Sequence, residues 1–245
     1  MKKILSLLRQ AIQNYDMINN GDVIAVGVSG GKDSLVLLTS MNMLKSFYPK
    51  KFEIKAISID TGFEKTDFSD TSKLCEALGI EYYIEKTQIK EIVFDNIKPK
   101  SPCGLCSKMR RAALCNLAKN IGCNKLCLGH NKNDAIETFV MNTIYNGKAM
   151  CFEPMTYYDD CKVTIIRPLI FADEYLIKKC AKDNKLPVMK KLCPADGNTK
   201  RDYTKQLLKT ICRDNKDAWK SIFSAIKNLP EFKKYEVKNT DENDG

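Results

Sequence analysis

Between Ile24 and Leu38 the chain reads Ile-Ala-Val-Gly-Val-Ser-Gly-Gly-Lys-Asp-Ser-Leu-Val-Leu-Leu. This is an apolar β run, a two-glycine turn, and a helix that starts on polar residues and continues apolar. Strand, glycine turn and helix N-terminus in that order make an anion cradle. The glycines let backbone N–H groups approach an anion closely, and the helix start adds unpaired donors and the positive end of its dipole. Lys32 supplies a mobile point charge, and the Ser29 and Ser34 hydroxyls supply further donors.

Two commoner motifs overlap this stretch. A Walker loop needs Gly five residues before Gly31 and Ser or Thr after Lys32, where this chain has Val26 and Asp33. Gly27-Val28-Ser29-Gly30-Gly31 does satisfy the nucleophile elbow G-x-S-x-G, but a hydrolase then needs a later acid and a His. The single His is His130, and the chain between it and Ser29 offers no clear acid partner. A phosphate cradle is the reading that remains.

The flanking chain repeats the strand–helix alternation. Residues 2–15 carry Ile4, Leu5, Leu8, Ile12 and Tyr15 at helical spacing, ahead of a strand at 23–28. A helix over about 33–47 is ended by Pro49, and a strand follows at 52–59. A helix at 66–78, a strand at 80–84, a helix to about Ile121 and a strand at 125–128 come next. After a helix to about Tyr145, a strand at 163–166 and a helix at 172–184, a short Leu-Pro-Val strand precedes Cys193. This order predicts an α/β fold, a doubly wound parallel sheet with a helical C-terminal extension, whose ligands bind at the carboxyl ends of the strands. Asp60 falls at such an end, where an acid meets the ribose or metal of a nucleotide, or simply caps a turn. Residues 1–229 read as one domain, and 230–245, poor in apolar residues, as a mobile tail.

No apolar run reaches the length of a membrane span, and the start Met1-Lys-Lys-Ile-Leu is unlike a signal peptide, so a cytoplasmic protein with no membrane partner is expected. The formal net charge of +10 suits a polyanionic partner. The excess is almost all lysine, with six arginines, so a solvated lysine-rich surface accounts for it equally well. Eleven cysteines, an odd number, with no secretion signal argue against a disulfide framework. Cys103-Gly-Leu-Cys106 follows the basic linker Lys98-Pro-Lys-Ser-Pro102, and a C-x-x-C pair can hold zinc, hold an iron–sulfur cluster, or cycle as a redox disulfide. The chain has no second C-x-x-C to complete a structural zinc site, although Cys123 and Cys127 are spaced as a candidate pair.

Ser-Gly-Gly-Lys-Asp-Ser after a strand resembles the pyrophosphate-binding loop of the PP-loop ATPases. Four further elements appear in the order of the TtcA branch, the tRNA 2-thiocytidine synthetases: Cys103-Gly-Leu-Cys-Ser-Lys-Met-Arg-Arg111, Gly129-His-Asn-Lys-Asn-Asp-Ala-Ile-Glu-Thr138, Arg167-Pro-Leu-Ile170, and Cys193 followed by Asn198-Thr-Lys-Arg201. The resemblance covers nearly the whole chain. One position departs from it: the family has two adjacent acids after Gly-His, and this chain has Asn133-Asp134.

The resemblance implies an ATP-dependent tRNA sulfurtransferase that adenylates the O2 of an anticodon-loop cytidine and replaces it with sulfur, releasing AMP and pyrophosphate. It implies ATP and Mg²⁺ bound by Ser29, Gly30, Gly31, Lys32, Asp33, Ser34, Asp60, Gly129 and Asp134. It also implies a 4Fe-4S cluster on Cys103, Cys106 and Cys193, with a persulfide on one of these thiols as the alternative. Lys32 and Asp33 serve the adenylation in this reading, and Cys103 and Cys193 the sulfur transfer. Lys108, Arg110, Arg111, Lys200 and Arg201 flank the cysteines and are the candidates for tRNA phosphate contacts, with a solvated helix face as the plain alternative. The implied partners are tRNA, a sulfur donor such as a cysteine desulfurase or free sulfide, and a second copy of the chain in a homodimer. Two rival readings remain at this level: a PP-loop enzyme adenylating another base or a small molecule, and an iron–sulfur or zinc RNA-binding module without catalysis.

Overall fold

Alternate residues of the central strands feed two different cores, and this sets the layering. The computed structural model describes residues 1–63, 66–99, 102–189, 197 and 199–237. Among them, β1 (Asp22–Gly27), β2 (Phe52–Asp60), β3 (Glu81–Lys86), β4 (Lys125–Cys127), β5 (Met155–Tyr158) and β6 (Val163–Ile166) form one sheet in the order β3-β2-β1-β4-β6-β5. Ile24 and Val26 of β1, with Ile54, Ala56, Cys127 and Ile166 beside them, belong to the larger core. Ala25, Ile57, Leu126, Val163 and Ile165, one residue out of phase, belong to the second. The period of two is the pleat itself.

The larger core lies under α1 (Lys2–Asn14), α2 (Lys32–Lys45), α3 (Ser69–Ala77), α5 (Lys132–Asn146) and α6 (Glu174–Asp183), joined by α7 (Lys200–Asp214), α8 (Ala218–Lys227) and α9 (Pro230–Lys233). α4 (Pro102–Asn120) covers the other face with Leu114, Cys115, Leu117 and Ala118. No helix among the described residues is long and apolar enough to cross a membrane.

From β1 the chain builds outward through β2 to β3, all parallel. It then returns through α4 and lays β4 on the other side of β1, also parallel. This reversal leaves a crevice between the carboxyl ends of β1 and β4, the place where open α/β sheets bind ligands. At the opposite edge a buried ion pair holds the two strands in register: Lys125 lies 2.7 Å from Asp22 and also donates to the Met17 carbonyl.

The structure departs from the sequence expectation in four places. β5 is an unexpected edge strand, antiparallel to β6, so the sheet is mostly rather than wholly parallel. Met-Thr-Tyr-Tyr is half-exposed on an edge and lacks the apolar alternation that marks a two-sided strand. Glu91–Ile97 forms a π-helical segment that ends on Lys98 at φ +46°. Residues 186–188 do not join the sheet; the chain there runs to the loop after β1, where the Met189 N–H donates to the Gly30 carbonyl at 2.9 Å. The tail expected from 230 begins as ordered structure: Phe232 of α9 is fully buried, and the Val237 N–H donates to the Asn14 carbonyl. Residues 238–245 lie outside the described residues.

Candidate active site

The loop after β1 is shaped by its own two serines. The Ser34 hydroxyl accepts the Ser29 N–H at 3.1 Å and donates to the Gly31 carbonyl at 2.9 Å, and the Ser29 hydroxyl lies 3.3 Å from it. These hydroxyls therefore build the loop before they serve any ligand. Gly30 sits at φ +74°, a region that favours glycine, and Met189 packs against its α-carbon. Gly31 caps α2 without a side chain, so the first-turn N–H groups have no side-chain acceptor and suit an anion.

The loop after β4 closes the other side of the crevice. A Cβ on Gly129 would lie 3.1–3.3 Å from the backbone of Asp33 and Ser34, so this glycine allows the two loops to touch. Its place in the site is one of close approach. Asn131 caps α5: its side-chain oxygen accepts the Asn133 and Asp134 N–H groups, and Asp134 answers by accepting the Asn131 N–H. The Asn131 amide also donates to Asp33 at 2.9 Å, joining the helix starts of α2 and α5. Asn133, where the family pattern has an acid, accepts the Glu174 N–H at 2.9 Å and so caps α6. Asp60 stands at the carboxyl end of β2 as expected, and its carboxylate accepts the Gly62 N–H at 3.0 Å.

An ion network closes around these helix starts. Lys32 reaches Asp33 at 2.8 Å and Glu174 at 3.0 Å, and Glu174 holds Lys205 of α7 at 2.7 Å. Lys205 lies 3.8 Å from Glu137, Arg201 lies 3.6 Å from Glu137, and Arg201 binds Asp134 at 3.0 Å. Asp134 returns the path through Asn131 to Asp33. Burial pushes the Glu137 carboxyl up to about 7 against the pull of Lys205 and Arg201. Glu174 goes the other way, to about 2: burial would raise it, but hydrogen bonds from Lys205 and Lys32 outweigh that. Burial would lower Lys32, but its contacts with Asp33 and Glu174 outweigh that and raise it.

Beyond β4 and β6 the site turns basic and aromatic. His130 packs on Phe152 with centroids 5.1 Å apart, and its Nδ1 is buried without a hydrogen-bond partner among the described residues. Burial, reinforced by Arg167, Arg201, Arg110 and Arg111, pushes the imidazole down to about 3, so it is neutral and no acid. Arg167 lies beneath, 4% exposed, donating to the Glu153 carbonyl and Thr156. Lys108, Arg110 and Arg111 are exposed on α4, and Arg111 also lies over the Tyr158 ring. Lys200 lies over the ring of Tyr145, 4.6 Å from its centroid. Arg201 differs from the other four: its guanidinium is engaged by Asp134, Glu137 and Thr138, which makes it a strut of the site rather than an open contact for tRNA phosphate.

Cys103 and Cys106 are the second and fifth residues of α4, exposed and half-buried respectively. Three residues apart on a helix, they share one face about 5–6 Å apart. Cys106 packs with Ile59, Ile89 and Val93, beside the carboxyl end of β2 and so on the edge that carries the phosphate loop. Two thiols so placed suit two corners of a cluster. Cys193 lies outside the described residues, and among those described no group of three metal-ligating side chains converges. Met189 and Thr199, on either side of it in the chain, are anchored at this edge through Gly30 and through the capped start of α7.

Sequence reasoning missed Glu174 and Lys205. An acid in the first turn of a helix and a lysine inside one are ordinary at those positions, and only the fold brings them to Lys32.

Residues 2–212 match the PP-loop domain family. The tRNA-cytidine(32) 2-sulfurtransferase of Citrifermentans bemidjiense is 35% identical over 230 residues, covering 93% of this chain and 90% of that one. That of Marinobacter nauticus is 33% identical, covering 93% and 76%. Among solved structures, the U34-tRNA thiolase NcsA from Methanococcus maripaludis with its [4Fe-4S] cluster superposes with a TM-score of 0.74 at 25% identity, covering 91% of this chain and 76% of that one. The NH3-dependent NAD synthetase of Campylobacter jejuni, at 19% identity and a TM-score of 0.51, shares the fold. A phosphate loop at the switch point of the sheet, paired thiols on the same edge and these relatives agree: the chain belongs to the PP-loop family and, within it, to the tRNA-cytidine(32) 2-sulfurtransferases.

Proposed function

We propose that this protein is an ATP-dependent tRNA sulfurtransferase that adenylates O2 of the anticodon-loop cytidine 32 and replaces that oxygen with sulfur, leaving 2-thiocytidine. One observation carries the reading: the phosphate loop and the Cys103/Cys106 pair stand on the same carboxyl edge of the sheet, which puts activation and sulfur delivery on one side of the molecule. The pyrimidine oxygen is a very poor leaving group, and attack of O2 on the α-phosphorus of ATP converts it into one. The loop amides of residues 29–34 receive the departing pyrophosphate, and Lys32 offsets its charge. Asp33, Asp60 and Asp134 are the carboxylates placed to meet magnesium and ribose, and Gly129 holds the two loops together around them. Cys103, Cys106 and Cys193 would hold a 4Fe-4S cluster. Three protein ligands leave one iron open, and when bound the cluster supplies there a site for the sulfide to be transferred.

Exposed Lys108, Arg110, Arg111 and Lys200 meet tRNA phosphates, and the neutral His130, packed on Phe152, adds an aromatic surface after β4. An unstacked loop base is the form of RNA that such a crevice can read. The reading extends to a cytoplasmic homodimer supplied with sulfur by a cysteine desulfurase or by free sulfide. Anaerobically reconstituted protein incubated with ATP, a sulfide source and unmodified tRNA should yield 2-thiocytidine on nucleoside analysis, together with AMP and pyrophosphate. Absence of the thionucleoside under those conditions would refute the proposal.

A further inference from the structure

Lys32, the one cation within the phosphate loop, is already held by anions of the protein itself. Asp33, its neighbour, lies 2.8 Å away but has a second partner in the Asn131 amide. Glu174 is the other anion, 3.0 Å from the Lys32 ammonium, and it comes from a different element, the first turn of α6. Its position is fixed by the Asn133 side chain, which accepts the Glu174 N–H, and by Lys132, which binds the adjacent Asp173 at 3.0 Å. Its other oxygen binds Lys205 at 2.7 Å.

We infer that Glu174 is a built-in stand-in for phosphate: it holds Lys32 while the loop is empty, gives it up when a phosphate is seated, and reclaims it as pyrophosphate departs. The second partner makes this exchange feasible. A carboxylate whose only cation is withdrawn keeps an unpaired charge, which is costly in a half-buried site. Glu174 keeps Lys205 when Lys32 leaves, so the exchange trades one charge-assisted contact for another. The same two contacts hold the Glu174 carboxyl at about 2 despite burial, so it is ionised throughout the working pH range. Glu174 is thus a positioning residue that acts through Lys32 and sets how tightly the loop keeps the product anion. The inference goes beyond the proposed function and needs no tRNA.

The test is calorimetric titration of inorganic pyrophosphate with Mg²⁺ into the full chain, with dissociation followed by chase. Removing the competing anion in Glu174→Gln should tighten pyrophosphate binding about threefold to tenfold and slow its release by a similar factor. Lys205→Met leaves Glu174 with Lys32 alone and should weaken binding, about threefold. In a Lys32→Met background, Glu174→Gln should have no further effect. A merely structural Glu174 predicts that both single variants weaken binding, and that outcome, or unchanged binding in a Glu174→Gln protein with wild-type circular dichroism, overturns the inference. Should Glu174→Gln fail to fold, Lys205→Met is compared with and without Lys32→Met: weaker binding in the single variant that disappears in the Lys32→Met background supports the inference, and a loss that persists there, or tighter or unchanged binding in the single variant, overturns it. Failure of the wild-type chain to bind pyrophosphate would overturn the phosphate-loop reading itself and the inference with it.

Discussion

A methyl group added at Gly129 meets the Asp33 and Ser34 backbone at 3.1–3.3 Å, tight enough that the backbone must yield by a few tenths of an ångström. The neighbour is the first turn of a buried helix, which cannot swing aside as a long side chain would. Gly129→Ala should therefore push α2 and its loop out of place, at the ~1–3 kcal/mol typical of overpacking. Pyrophosphate affinity is expected to fall about tenfold or more by titration. Gly104, between the two cysteines, makes the control: among the described residues nothing lies within 4 Å of its missing Cβ. Gly104→Ala should raise the melting temperature slightly through backbone entropy alone. The family pattern puts Gly129 among the expected nucleotide-site residues but does not say why it is glycine. That reason is a contact between loops 95 positions apart in the chain (34 and 129), which becomes visible only when β1 and β4 are known to be neighbours.

At the scale of elements, α5 and its packed partners carry two groups whose proton equilibria oppose each other. Glu137 rises from 4.5 to about 7, chiefly by burial, so its contribution to stability is complete below 4.5 and lost as pH rises through 7. His130 at the end of β4 falls from 6.5 to about 3, also by burial, so its contribution is present above 6.5 and lost as pH falls toward 3. Between pH 5 and 6.5 the two slopes have opposite signs and similar size. The wild-type melting temperature is expected to stay nearly level across that window in scanning calorimetry. Glu137→Gln should unmask a melting temperature that rises with pH by several degrees, and His130→Asn one that falls. The helices themselves were legible. Apolar spacing marked α1 and α2, and the chain after Asn198 reads as helical. What α7 docks against was not legible, because Arg201 and Lys205 look like solvent-facing charges until α5 and α6 bring Glu137, Asp134 and Glu174 beneath them. β5 escaped for the complementary reason, since an edge strand need bury only part of one face.

Across the whole molecule, the strand–helix alternation and one glycine turn sufficed to place the ligand edge, while the antiparallel edge strand and the course of residues 186–189 over Gly30 depended on packing that no local pattern records. The exposed arginines of α4 should act only on the longer polyanion. Arg110→Ala with Arg111→Ala should lower the salt dependence of tRNA binding by about one unit of slope each and leave pyrophosphate binding unchanged, as filter binding over a salt series would read. The chain as a whole carries a net charge of +10, yet the network around Lys32 sets four carboxylates (Asp33, Asp134, Glu137 and Glu174) against three cations. With burial raising Glu137 to about 7, the charges of that network nearly cancel, so a positive body encloses a nearly neutral pit. Such a protein sorts two polyanions by the counter-ions they carry: tRNA, stripped of its small cations, is held at the rim, and the pit admits a nucleotide that arrives with a divalent metal of its own.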